Sequence, residues 1–117
     1  MPKINSRAKG CNGEREVRDL IQSFGFSARR GQQFSGSPES PGVIHSIPGV
    51  HVEVKRAENF SLYPALDQSR RDCPVGHMPT VWHRKSRRDW VVVLPAEDFL
   101  RLVGGGKTNA ETLEMLK

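Results

Sequence analysis

Cysteine is scarce in this chain: two residues, Cys11 and Cys73, in 117. They stand far apart and match no metal-ligand spacing, which argues against a disulfide scaffold or a zinc finger and fits free thiols in a reducing compartment. Long apolar runs are absent too, so no segment approaches the roughly 20 apolar residues of a membrane helix. The opening MPKINSRAKG has no apolar centre of the kind a secretory signal needs,. The expectation is a cytoplasmic protein without a membrane partner. No internal repeat is visible, and no helix carries the Asn/Arg pattern of a base-reading helix.

Acidic charge is in deficit. Thirteen Asp and Glu face eighteen Lys and Arg, a formal charge of +5. A basic surface favours polyanions through counterion release, without naming the polyanion. The excess is local. Residues 70–88 hold Arg70, Arg71, Arg84, Lys85, Arg87 and Arg88 against Asp72 alone, a window of +5 that equals the whole chain's formal charge.

The length predicts one domain, set at residues 1–103 with a loose basic arm over 1–11. A Gly-rich linker and tail follow at 104–117. Asn12 reads as the N-cap of a first helix, with Glu14, Glu16 and Asp19 early in it and Val17, Leu20, Ile21 and Phe24 as its apolar stripe,. Gly25 is its stop. FSARRGQQF, 26–34, reads as a strand, and SGSPESP as a loop. A hairpin follows at about 42–47 and 50–56, turning on Pro48-Gly49. Residues 59–73 read as a helix, capped by Ser61, burying Leu62, Ala65, Leu66 and Ser69. TVWH, 80–83, and WVVVL, 90–94, read as strands, the latter central because it is continuously apolar. Pro95 opens a last helix to about Val103. The order predicts an α/β fold, a mixed five-stranded sheet flanked by helices.

The strand VHVEVKR alternates. Val50, Val52 and Val54 share one face; His51, Glu53 and Lys55 share the other,. Symmetric pairing about Pro48-Gly49 would set Gly42 opposite Lys55. A carboxylate there would converge with Glu53, and two converging carboxylates can hold Mg²⁺ with waters and a substrate phosphate. Glycine brings none.

Three stretches in order give the chain a resemblance. KGCNGEREV, residues 9–17, is similar to a Lys-Gly-x-x-x-Glu-Arg-Glu helix start. Pro41-Gly42 is followed, after ten residues, by Glu53-Val54-Lys55. The next helix, LYPALDQSRRD, carries Gln68. Together they resemble the PD-(D/E)xK nuclease superfamily, above all the small archaeal-type Holliday junction resolvases and their phage-encoded relatives, over residues 8 to about 100. The resemblance implies a restriction-endonuclease-like fold and Mg²⁺-dependent cleavage of branched DNA, with Mn²⁺ as the alternative ion. It implies Glu14 and Glu53 as metal carboxylates, Lys55 as the catalytic lysine and Gln68 as a polar residue flanking the site. A phage-encoded member would act in the host cytoplasm.

Gly42 departs from that pattern, which places aspartate after the proline. The expectation is a weak or inactive nuclease. Three accounts stay open: a substitution in an active enzyme, compensation by another carboxylate such as Glu39, or a protein that binds DNA without cutting it. His51 shares Glu53's face but is read as a phosphate or water contact, not a ligand. Arg29, Arg30, Arg70, Arg71, Arg84, Lys85, Arg87 and Arg88 are the candidate DNA-backbone contacts. Symmetric cutting of a four-way junction needs two sites, so a homodimer is expected. WVVVL, EDFLRLV or the tail would supply its interface.

Overall fold

The computed structural model describes residues 6–31 and 42–104. The elements run α1 (Ser6–Ser23), β1 (Ala28–Arg30), β2 (Val43–His45), β3 (Val50–Arg56), α2 (Leu62–Asp72), β4 (Met78–Arg84), β5 (Val91–Val93) and α3 (Ala96–Gly104). The expected order of helix, three strands, helix, two strands, helix holds.

The strands form two sheets where one of five was expected. β1 pairs antiparallel with β2. β3, β4 and β5 form the other sheet in that order, β3–β4 parallel and β4–β5 antiparallel. A parallel pair needs a crossover, and α2 supplies it. The expected ladder between β2 and β3 is absent among the described residues, so Gly42 is not paired with Lys55. The backbone beside β2 is spent on β1: Ser46 N–H donates to Ser27 O at 3.0 Å and Gly31 N–H to Gly42 O at 3.0 Å. The His45 ring then takes the Ile47 N–H at 3.0 Å, turning the chain before β3.

Two clusters of apolar side chains hold the layers together. Val17 and Ile21 of α1 bury against Val43 and Val52, with Val50, Val54, Trp82 and Trp90 around them. Ala65 and Leu66 of α2 bury against Val81, with Phe60 and Val93 beside them. The alternation of β3 thus points its valines toward α1. Register pairs Glu53 with Val81 and Lys55 with His83, on the face that α2 covers. Ser69 is buried because its hydroxyl donates to Thr80 O at 2.9 Å, fixing α2 on β4.

Several boundaries differ from the sequence reading. α1 begins at Ser6, so Asn12 is no N-cap, half of the expected arm is helical, and Glu14 lies in the helix interior. Glycine at 13 suits packing: a Cβ there would lie 2.6 Å from Arg56 Cβ. The helix therefore runs close over β3 instead of starting at the Asn12 cap. Phe24 lies beyond the helix end and is 77% exposed. β5 is an edge strand, not the central one; β4 is central, and Val91 and Val92 are exposed. Ser61 sits at the N-cap of α2 but makes no side-chain cap bond. No helix among the described residues is long and apolar enough to cross a membrane.

Candidate active site

Four elements bring the predicted site residues together. β3 contributes Glu53 and Lys55, one above the other on the same face. Lys55 Nζ lies 3.7 Å from Glu53 Oε1 and donates to Gln68 Oε1 of α2 at 2.7 Å. Gln68 is therefore anchored in the cluster, and not a solvent-facing helix residue. α1 contributes Glu14, whose side chain is 16% exposed. β1 contributes Arg30, whose Nε lies 3.3 Å from Glu14 Oε2.

Electrostatics joins the two carboxylates. Burial pushes the Glu14 carboxyl above its usual range, the hydrogen bond and charge of Arg30 oppose that, and the Glu53 charge adds to it,. Glu53 is thus close enough for its charge to disfavour the ionisation of Glu14. A buried carboxylate held against both desolvation and a like charge is a common mark of a functional site.

His51 completes the polar face. Its Nε2 lies 3.7 Å from Glu53 Oε2, in a side chain that is 10% exposed, and it has no hydrogen-bond partner. A buried nitrogen turned toward a carboxylate and bonded to nothing is unusual, because unpaired buried polar atoms cost free energy. It fits a group that meets a cation's water or a phosphate. The donor set suits a hard divalent ion: Mg²⁺ is commonly held by one or two carboxylates, with waters and substrate phosphate doing the rest. No group of three or more His, Cys, Asp or Glu forms a ready-made metal cage among the described residues. The fit is therefore to a two-carboxylate site completed by substrate.

Gly42 borders this cluster. A Cβ built on it would lie 3.0 Å from Glu14 Oε1, 3.1 Å from its Cδ and 3.3 Å from its Cγ. Glu39, the alternative carboxylate, lies outside the described residues.

The predicted basic residues divide. Arg30 faces Glu14, and Arg84 NH1 pairs with Glu16 at 3.2 Å, so both serve the fold's own carboxylates. Arg29, Arg70, Arg71, Lys85, Arg87 and Arg88 are exposed and make no ion pair with another described residue. They lie in three places: β1, the last turn of α2, and the β4–β5 turn. In that turn Arg87 adopts φ +65°, the only non-glycine positive φ among the described residues.

Sequence reasoning placed Glu14, Gly42, Glu53, Lys55 and Gln68 in one site, and the structure gathers them. Arg30, expected among the DNA contacts, pairs with Glu14, which nothing local in the sequence shows. His51 was visible as the residue two before Glu53, but its buried, unpartnered nitrogen depends on what packs around it.

No family model matches the chain, and no curated protein matches it. Among solved structures, Hjc of the archaeal hyperthermophile Archaeoglobus fulgidus, a Holliday junction resolvase, is similar at a TM-score of 0.57. The identity is 20%, over 73% of this chain and 76% of that one. The chain therefore has the fold of that resolvase, with its clustered carboxylates and lysine set where α1, β3 and α2 meet.

Proposed function

We propose that this protein is a Mg²⁺-dependent, structure-selective DNA endonuclease of the junction-resolving type, with Mn²⁺ as an alternative ion. The observation that carries the reading is the linked set Glu14, Glu53, Lys55 and Gln68, in a fold shared with a Holliday junction resolvase. A metal ion held by Glu14 and Glu53 would supply Lewis-acid stabilisation of phosphate charge.

The chain's own residues do the positioning. Gln68 accepts a hydrogen bond from Lys55 and so aims the ammonium beside Glu53. From there Lys55 is placed to orient an attacking water or to meet charge developing on the phosphate. Arg30 balances Glu14 before substrate arrives. The unpaired cations on β1, on α2 and in the β4–β5 turn grip the backbone of DNA, and nothing among them reads bases. With two carboxylates and glycine at 42, the site is weaker than a three-carboxylate one, so activity is low.

A homodimer fits this reading, because two nicks across a junction need two sites. The candidate interface residues are the exposed Phe99, Leu100, Leu102 and Val103 of α3 and the exposed Val91 and Val92 of β5.

The test compares a labelled four-way junction with linear duplex of the same sequence, in Mg²⁺, in Mn²⁺ and in chelator. The expected result is slow, metal-dependent, paired nicking of the junction and little cutting of duplex, lost in Lys55→Ala. Equal cutting of both substrates would point to a less selective nuclease. Tight junction binding with no cutting under any metal would favour a DNA-binding protein without catalysis.

A further inference from the structure

Glu53 has its two oxygens facing different groups. Lys55 Nζ lies 3.7 Å from Oε1, and His51 Nε2 lies 3.7 Å from Oε2. The histidine nitrogen is buried, belongs to a side chain only 10% exposed, and has no hydrogen-bond partner among the described residues. The strand sets this up, because residues two apart share a face. The gap between Nε2 and Oε2 restricts what can fill it. It is too long for an N–H···O hydrogen bond, which spans about 2.7–3.2 Å. It is too short for a bridging water, because two hydrogen bonds of about 2.8 Å meeting at a tetrahedral oxygen hold their far ends about 4.6 Å apart. A phosphate oxygen there would press its negative charge against Glu53. Two donors each about 2.1 Å from a shared divalent ion can stand up to about 4.2 Å apart. Of a cation's water, a phosphate and the cation itself, the spacing favours the cation.

We infer that His51 is itself a metal ligand, its Nε2 sharing one divalent ion with Glu53 Oε2. The inference rests on the nuclease reading of the site and sharpens it. The sequence reading had left His51 as a phosphate or water contact. As a ligand the neutral ring offers the Nε2 lone pair. Gly42 brings no side-chain oxygen to the cluster, and His51 supplies a donor of another kind. No three His, Cys, Asp or Glu are already grouped among the described residues, so water and substrate phosphate complete the shell, with Glu14 drawn in from α1. A nitrogen in the donor set changes which ion the site takes. Mg²⁺ is served by oxygen alone, whereas imidazole suits the later transition ions, whose affinity rises from Mn²⁺ to Co²⁺. The site is therefore one for a transition ion, with Mg²⁺ the weaker guest.

Electron spin echo spectroscopy of bound Mn²⁺ reads the ligand without reference to cleavage. The unaltered full chain should show modulation from a directly bonded imidazole nitrogen. The modulation should change when the protein carries ¹⁵N-labelled histidine, which sets it apart from lysine and backbone nitrogen. It should vanish in His51→Gln and persist in His77→Gln, a change at an exposed residue. Calorimetry with Co²⁺ and with Mg²⁺ gives the second readout. His51→Gln should weaken Co²⁺ binding at least about 10-fold, since loss of even a ligand's supporting partner commonly costs that much, and should change Mg²⁺ binding far less. Thermal melts of both variants confirm that they fold, and the labelled spectrum of the unaltered chain needs no substitution at all.

Bound Mn²⁺ without histidine modulation, or modulation that survives in His51→Gln, overturns the inference while leaving the nuclease reading intact. So does an equal loss of Co²⁺ and Mg²⁺ binding in His51→Gln. An unaltered chain that binds no divalent ion, with or without junction DNA, overturns both.

Discussion

Glu14 is the residue at which stability and activity pull apart. Burial and the Glu53 charge together push its carboxyl up by more than Arg30 and Arg15 bring it down. A folded-state pKa above the unfolded one means that the folded protein holds this proton more tightly. The corresponding stability is present below the ordinary carboxylate range and is lost as pH rises through the folded value. Above the folded value the ionised Glu14 is therefore a cost. Glu14→Gln should keep or raise the melting temperature at pH 7 while removing metal-dependent cleavage. A melting temperature several degrees lower would show that the pair with Arg30 outweighs burial. Glu53→Gln differs in one respect: it removes a partner of Lys55 as well as a ligand. Lys55→Ala should lower the cleavage rate about 100-fold or more, as removal of a preorganised charge-stabilising group commonly does, with junction binding retained.

At the scale of elements, the β2–β3 connection and the β4–β5 turn each carry a testable feature. Burial holds the His45 imidazole below its ordinary pKa, with the nearby charges of His51 and His77 acting the same way and its Val50 backbone bond opposing. Its Nδ1 takes the Ile47 N–H, a role only the unprotonated nitrogen can fill. Because the folded value is depressed, the stability it contributes is present above about pH 6.5 and is lost as pH falls through the folded value. Denaturant midpoints at pH 7.5 and pH 5.5 should differ more for the unaltered protein than for His45→Asn. Equal differences would remove His45 from the account of that turn.

Arg87 holds a left-handed backbone that glycine adopts without cost,. Arg87→Gly should stabilise the fold by about 1 kcal/mol and weaken DNA binding. Its salt dependence should shallow by about one unit in the log–log slope. An unchanged slope would place Arg87 off the DNA.

The same scale shows what the sequence made legible. The valine and Glu/Lys alternation of β3 fixed which residues share a face, because strand periodicity is local. Gln68 could be placed only through the resemblance of its helix to the family's, because the parallel crossover that brings it over β3 is not visible locally. Helix α1 was misread at its start because residues 1–11 read as a loose basic arm and Asn12 resembles an N-cap. Gly13 is in fact a packing surface for Arg56, a contact 43 residues away along the chain. β5 was taken as central because three consecutive valines resemble a strand buried on both faces. An apolar edge strand left exposed has the same composition. The pairing of Arg30 could not be read because Glu14 lies on another element, and the burial of His51 depends on the elements packed around it.

For the whole molecule, α3 and β5 present exposed Phe99, Leu100, Leu102, Val103, Val91 and Val92. These exposed apolar groups are the candidate surface for the proposed dimer. Leu100→Glu with Leu102→Glu should turn a dimer into a monomer in sedimentation velocity. The monomer should still bind a junction but should lose paired nicking. A chain that is already monomeric before substitution would remove the dimer from the proposed function.

The most direct measurement is cleavage of one labelled four-way junction by the unaltered protein and by Glu53→Gln, side by side, in Mn²⁺ and in chelator. Slow nicks that need both the ion and Glu53 are the result expected if Glu14, Glu53, Lys55 and Gln68 form a nuclease centre. Nicks that persist in Glu53→Gln, or no nicks from the unaltered chain at any concentration that binds the junction, would contradict it.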